Sequence, residues 1–264
     1  LPTPPPRPSS AGPVDPITSP FSAFIFKIQA NMDKAHRDRV AFLRVCSGRY
    51  ERGMKVLHVR TEKETRLSNP TTFVAQERTI VEDAYAGDVI GIYDPGVFEI
   101  GDTITAGQKL TFEEIPSFAP EYFSRVVMID PLRRKQLKKG LDQLAQEGTI
   151  QLYRPLKGRE GDTILGAVGQ LQLEVVKFRL KSEYDVDVRL EPISCEFARW
   201  LSRDDGGEID TDAFRRAQVG IAAEDARGRP VALFQGEWQL NSAKRQFPEL
   251  SFSETARGVI AHTG

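Results

Sequence analysis

Residues 125–148, RVVMIDPLRRKQLKKGLDQLAQEG, change their period halfway. Arg125 to Ile129 alternate like a strand, in which successive side chains take opposite faces. Asp130-Pro131 then supplies a helix N-cap followed by proline at the first helical position, where the missing N–H is no loss. Leu137, Leu141 and Leu144 recur at helical spacing until Gly148 offers a stop. The stretch predicts one strand followed by one helix. Downstream, Ile150–Arg154 and Ile164–Val168 read as a strand pair across the Gly- and charge-rich loop 157–162. A second helix runs from Gly169 to Tyr184, with Leu173, Val176 and Leu180 on its buried face and Leu171, Val175 and Phe178 expected to widen that face. Val186 to Leu190 alternate once more, which gives the order βαββαβ of a ferredoxin-like split βαβ unit.

Upstream of Pro-Ser-Phe-Ala-Pro at 116–120 the pattern differs. Short apolar runs recur at Phe24–Phe26, Val40–Cys46, Val56–Val59, Phe73–Ala75, Val89–Ile92 and Leu110–Phe112, separated by Gly, Asp, Asn and Pro. Such spacing predicts an antiparallel β-barrel or sandwich over residues 21–115, of which the barrel is taken. Residues 1–20 contain eight prolines and are expected to be extended, solvated chain, either a linker from a domain that lies upstream or an N-terminal tail. After residue 192 the signal weakens. Strands at Ile193–Trp200, Val231–Phe234 and Leu250–Phe252, with helices near Asp212–Ala217 and Glu237–Arg245, are expected to form an α+β extension packed on the βαββαβ unit. The fold class is thus multidomain β plus α+β, divided as 1–20, 21–115, 116–192 and 193–264.

The 264 residues suffice for two domains, and 40% apolar with 28% charged residues is ordinary for globular chains. A net charge of −1 leaves any nucleic-acid contact to local patches. Cys46 and Cys195 are far apart in apolar runs, without metal-ligand or disulfide spacing, which suits free thiols in a reducing cytoplasm. No run approaches the roughly 20 apolar residues that span a bilayer, so no membrane partner is expected.

No catalytic constellation is visible. His36-Arg37-Asp38 copies the start of a kinase catalytic loop, but Leu43 stands where that loop needs Asn. Gly48 and Gly53 have phosphate-loop separation, yet Met54-Lys55 follows in place of Lys-Ser or Lys-Thr, and a hairpin turn explains both glycines. His36, His58 and His262 are not spaced as metal ligands. Arg133, Arg134, Lys135, Lys138 and Lys139, by contrast, crowd five positive charges onto the polar side of the first helix. They could meet RNA phosphates or simply form a solvated helix face.

Several longer stretches carry a resemblance. Phe26-Lys27-Ile28-Gln29-Ala30-Asn31-Met32-Asp33, His36-Arg37-Asp38-Arg39-Val40-Ala41-Phe42 and Arg44-Val45-Cys46-Ser47-Gly48 resemble the start of the second domain of the bacterial release factor 3 family of translational GTPases. Ala86-Gly87-Asp88-Val89-Ile90-Gly91 and Ile100-Gly101-Asp102-Thr103 extend the likeness. The run from Gly166 to Gln172, continuing through Arg179 to Tyr184, resembles that family's third domain. Elongation factor G shares the barrel and the Phe-x-Arg-Val-x-Ser-Gly turn, so its corresponding domains are the alternative, with a free-standing RNA-binding module behind it. The resemblance implies a parent that binds GTP or GDP with Mg in a preceding GTPase domain and drives class I release factors off the ribosome. It implies docking of these two domains near 16S rRNA and protein S12 of the small subunit, and no catalytic residue or cofactor in this stretch. His36, Arg37 and Arg39 join the five cations of the first helix as candidate ribosome contacts.

Overall fold

Antiparallel pairing organises both halves of the chain. The computed structural model describes residues 3–30, 39–67, 71–74, 77–80, 82–112, 119–156 and 161–255. The chain divides into two units, Leu1–Ile115 and Pro116–Gly264.

In the first unit the strands are β1 (Ser22–Ala30), β2 (Arg39–Ser47), β3 (Arg49–Glu51), β4 (Lys55–His58), β5 (Lys63–Arg66), β6 (Thr71–Val74), β7 (Glu77–Ile80), β8 (Asp83–Tyr85), β9 (Val89–Tyr93) and β10 (Thr103–Thr105). Eight of them form one antiparallel half-barrel sheet in the order β5-β4-β10-β1-β2-β9-β6-β7, and β3 pairs with β8. The ladder between β1 and β2 slips at Ser22/Ala23 and again at Ile25/Lys27. Such irregularities increase local twist and bend a sheet around its core. That core holds Ala23, Ile25, Ile28, Leu43, Val45, Ile90, Ile92 and Ile104, all nearly inaccessible. Sequence periodicity misses β5 and β7, because KETR and ERTI contain almost no apolar alternation. The expected strand at Leu110–Phe112 is reduced to a single bridge between Phe112 and Ser9.

The Pro-rich segment departs from the expectation of solvated, extended chain. Arg7 bridges Val14 in a small hairpin, Ser10 N–H donates to Thr111 O at 2.9 Å, and Val14 is buried with Phe24, Cys46, Leu110 and Phe112. Proline limits hydrogen-bond donation but not packing, and one valine with one arginine in the segment is enough to anchor it.

The second unit opens with β11 (Tyr122–Met128), a 3₁₀ turn at Pro131–Arg133, α1 (Arg134–Gln146), β12 (Gln151–Arg154), β13 (Ile164–Ala167), α2 (Gln170–Tyr184) and β14 (Val188–Pro192). It continues with β15 (Phe197–Arg203), α3 (Thr211–Ala217), β16 (Ile221–Asp225), β17 (Pro230–Phe234), α4 (Glu237–Gln246) and β18 (Leu250–Ser253). Residues 193–255 join the first βαββαβ run edge to edge. Their strands prolong the same sheet, in the order β14-β11-β13-β12-β16-β17-β15-β18. The joining strand, β16, escapes sequence reading because Ile-Ala-Ala-Glu-Asp has neither a branched run nor alternation.

This order is symmetric. The second half repeats the element order of the first, and its four strands mirror the first four across the β12–β16 seam, where Tyr153 lies opposite Asp225 and Arg154 opposite Glu224. Opposed residues of an antiparallel pair share a face. Leu152 packs under α1 and α2 while Ala222 packs in the cluster of α3 and α4, so all four helices cover one face of the sheet. The other face gathers Phe123, Tyr153 and Ile164 of the first half with Ala198, Trp200, Ala223, Val231 and Leu233 of the second. At the seam, Trp200 Nε1 donates to Asp225 Oδ2 at 2.9 Å, and Arg229 Nε donates to the same oxygen at 2.7 Å.

Candidate functional site

The first helix of the second unit is built as its sequence predicts and charged in an unusual way. Asp130 caps the 3₁₀ turn that leads into it, accepting from Leu132 N–H at 2.9 Å, and Pro131 opens that turn, while Arg133, the N-cap of α1 itself, makes no side-chain cap bond. Gly140, Leu141 and Leu144 are buried, and Gly148, at φ +74°, follows the helix's end. Opposite the buried stripe stand Arg134, Lys135, Lys138 and Lys139, all exposed. Among the described residues no carboxylate pairs with any of these four. The carboxylates nearby are committed elsewhere: Asp142 to Arg154, Glu147 to Arg179 at 2.6 Å, and Asp185 to Arg133 at 2.9 Å.

Two electrostatic costs follow. Arg134 and Lys138, and likewise Lys135 and Lys139, are like charges at i,i+4, each pair destabilising by about 0.2–0.5 kcal/mol. The first turn of α1 contains no acidic residue, although the positive end of the helix dipole favours one there. The equivalent helix of the second half is conventional. In α3 Asp210 caps, Asp212 lies in the first turn, and Arg215 and Arg216 lie in the last.

The other candidate contacts fare differently. Arg39 is a correction: it is buried, with Nε 2.5 Å from Asp94 Oδ2 and Nη2 donating to Phe98 O at 2.9 Å. Its guanidinium holds the β9–β10 loop and is not presented at the surface. Asp94 in turn accepts from the N–H groups of Gly96, Val97 and Phe98. His36 and Arg37 lie outside the described residues.

A second charged cluster escapes sequence reading, since its members are far apart along the chain. His58 Nε2 and Asp102 Oδ2 are 2.8 Å apart, Thr61 Oγ1 is 3.0 Å from His58 Nδ1, and Arg60 Nε reaches Asp102 Oδ1 at 2.6 Å. Glu99 N–H also donates to Asp102. Burial would raise the Asp102 carboxyl, but hydrogen bonds from His58, Arg60 and Glu99 N–H prevail and hold it at about 2. The Thr–His–Asp order imitates a catalytic relay. With Arg60 neutralising the aspartate it works instead as a lock between two loops.

No phosphate cradle is formed by the described residues. Gly48 has φ +64°, and a Cβ there would come within 2.5 Å of Phe21 N; Gly53, at φ +78°, donates to Leu67 O. Both are turn glycines. Burial pushes the Cys46 and Cys195 thiols up to about 11, so both stay protonated while they are covered. No group of three metal-ligating side chains comes together, and no helix is long and apolar enough to cross a membrane, among the described residues.

Comparison with known proteins agrees with this architecture. Residues 112–244 match the family model "Class II release factor RF3, C-terminal domain", and residues 20–107 match "Elongation factor G domain 2". The chain is 48% identical, over 97% of its length, to "Peptide chain release factor 3" of Symbiobacterium thermophilum, and covers 48% of that protein. It is 49% identical, over 95% of its length, to the protein of the same name from Rippkaea orientalis, covering 46% of it. The chain thus spans about half the length of the curated relatives it matches. A crystal structure of a Thermus thermophilus protein superimposes on 70% of this chain and 29% of its own, with a TM-score of 0.55 at 22% identity, a likeness of fold alone. With the C-terminal-domain model covering half of it and named relatives identical at nearly every second position, the chain belongs to the class II release factor 3 family.

Proposed function

We propose that this chain is the ribosome-docking portion of a translational GTPase that promotes GTP-dependent dissociation and recycling of class I release factors after termination. The observation that carries the reading is the charge of α1: four exposed cations, paired with no carboxylate among the described residues, at a helix start where folding alone disfavours them. A helix surface that costs stability and is matched by no anion among the described residues suits an external one. RNA phosphates, of 16S rRNA beside protein S12 on the small subunit, are the partner this reading assigns. The counterpart helix α3, with acid first and base last, shows that the same architecture does not require such charges.

On this reading residues 21–115 are the barrel of the second domain, and residues 116–192 a ferredoxin-like unit. Their βαββαβ order and the strand order β14-β11-β13-β12 support the latter. GTP and its Mg belong to a GTPase domain outside these residues, and the chain itself is a cytoplasmic docking module without catalytic groups.

The test is co-sedimentation with small ribosomal subunits across a salt series, comparing the chain with a variant in which Arg134, Lys135, Lys138 and Lys139 are all glutamine. Affinity should fall, and the slope of log K against log salt should flatten by about 0.7–0.9 for each phosphate that is no longer neutralised. Equal affinity and slope in the two proteins would overturn the reading.

A further inference from the structure

We propose that Arg7–Val14 is a dissociable strap: it leaves the sheet as a unit while residues 21–115 stay folded, and so opens a groove that fits an extended, arginine-bearing peptide segment.

The strap holds its own shape. Arg7 N–H donates to Val14 O at 3.2 Å and Val14 N–H returns to Arg7 O at 2.9 Å; Ser9 N–H and Gly12 O, and Gly12 N–H and Ser9 O, close the turn at 3.1 and 3.0 Å. The Ser9 hydroxyl adds a bond to Gly12 O, and Gly12 takes φ +99°, which glycine tolerates without strain. Pro8 and Pro13 restrict the free hairpin, so little conformational entropy is lost when it docks again.

Among the described residues its ties to the sheet are few, set around the Ser9–Phe112 bridge. Ser10 N–H donates to Thr111 O, and Thr111 N–H donates to the Ser10 hydroxyl, each at 2.9 Å. The Arg7 guanidinium stacks 3.9 Å above the Phe24 ring and lies 5.7 Å from that of Phe112. Val14 supplies the buried apolar contact. Elements held by so few contacts open below the global unfolding free energy.

What lies beneath is separate from the main core. Phe24, Cys46, Leu110 and Phe112 form their own cluster with Val14, and Phe26 packs against it, whereas Ala23, Ile25, Ile28, Leu43 and Val45 belong to the core on the other face of β1 and β2. Removing the strap uncovers the first group and leaves the second intact. The exposed groove then offers an aromatic face for a guanidinium and a free backbone edge at Thr111, the two features that an extended arginine-bearing peptide satisfies.

Cys46 reports the opening, because it reacts with thiol reagents only when the groove is uncovered. Labelling of Cys46 in the full chain, resolved by peptide mass spectrometry, is compared with amide exchange of β1 and β2 under native conditions. Arg7→Ala should accelerate Cys46 labelling by about tenfold, as removal of a stacked guanidinium implies, without changing exchange in β1 and β2. Ser10→Ala should accelerate it less. A synthetic peptide spanning residues 3–20, added to the Arg7→Ala protein, should slow labelling saturably. The proposal is overturned if labelling is equal in wild type and Arg7→Ala, if it rises only together with exchange throughout β1 and β2, or if the peptide gives no protection.

Discussion

Gln172 and Gln239 occupy the same place in the two halves of the second unit and make the same bond. Val168 N–H donates to Gln172 Oε1, and Gln235 N–H donates to Gln239 Oε1, each at 2.8 Å. In both helices glycine is the N-cap, and the next residue after the glutamine, Leu173 or Leu240, is buried at 7% exposure. The glycine N-caps have no side chain to offer, so the glutamines take over the task of satisfying backbone donors at the helix start. Replacing either by alanine should cost about 1 kcal/mol in urea unfolding of the second unit. The two effects should add, since the residues share no partner.

Gly166 is held by crowding. A Cβ added there would lie 2.9 Å from Pro120 Cβ and Cγ and 2.9 Å from Tyr153 Cε2. The proline ring is rigid and Tyr153 is fully buried, so neither yields cheaply. Gly166→Ala should therefore destabilise by about 1–3 kcal/mol, although alanine ordinarily suits a strand no worse than glycine. Thermal unfolding monitored by tryptophan fluorescence, which reports only on the second unit through Trp200 and Trp238, would measure it.

α2 is apolar on two opposite sides. Leu173, Val176 and Leu180 are buried, whereas Leu171 is 76% and Phe178 70% exposed, with Val175 at 41%. At 100° per residue the outer three point away from the core and do not widen its face, contrary to the expectation from their spacing. Leu180→Ala should cost about 2–5 kcal/mol by opening a cavity. Leu171→Gln and Phe178→Gln should change unfolding free energy by no more than about 0.5 kcal/mol. Binding of an apolar dye to the native protein should fall in the latter pair alone.

These helices also show what sequence could and could not reveal. The strand-to-helix change at Asp130-Pro131, the stop at Gly148 and the βαββαβ order are written in local periodicity and capping, which act over a few residues. The second half resists because its signals are weak where they matter: β16 is Ile-Ala-Ala-Glu-Asp, and only its pairing with Tyr153 and Arg154 makes it the seam of the sheet. Arg39 reads as a surface cation because the partner that buries it, Asp94, lies across the β2–β9 ladder. The charge of α1 is legible in full, since helical spacing alone puts the cations on one side. That no acid among the described residues answers them needs the fold.

Asp102 makes acid stability a measurable test of the loop lock. Its folded value, about 2, lies below the ordinary carboxylate value of 3.8. A carboxylate depressed by folding contributes stability that is complete above the unfolded value and disappears as pH falls from about 4 through about 2. The contribution at neutral pH is about 2 kcal/mol. Asp102→Asn should lower stability at pH 7 and leave a shallower decline between pH 4 and pH 2, measured on β4 and β10 amides by hydrogen exchange. Parallel pH profiles for the two proteins would refute the assignment.

On the proposed docking role the charges of α1 set stability against binding, so substitutions there should move the two in opposite directions. Arg134→Glu with Lys135→Glu places acids in the first turn, where the helix dipole favours them by about 0.3–1 kcal/mol each. It also converts two like-charge i,i+4 pairs into Glu–Lys pairs in the favoured order, worth about 0.2–0.5 kcal/mol each. The doubly substituted chain should be about 1–2 kcal/mol more stable at low salt, and the gain should shrink as salt screens it. The same protein should bind small ribosomal subunits more weakly and with a flatter salt dependence. A protein that lost stability as well as binding would show instead that these cations serve the fold. Opposed signs of the two changes are how a partner of these four cations would be detected.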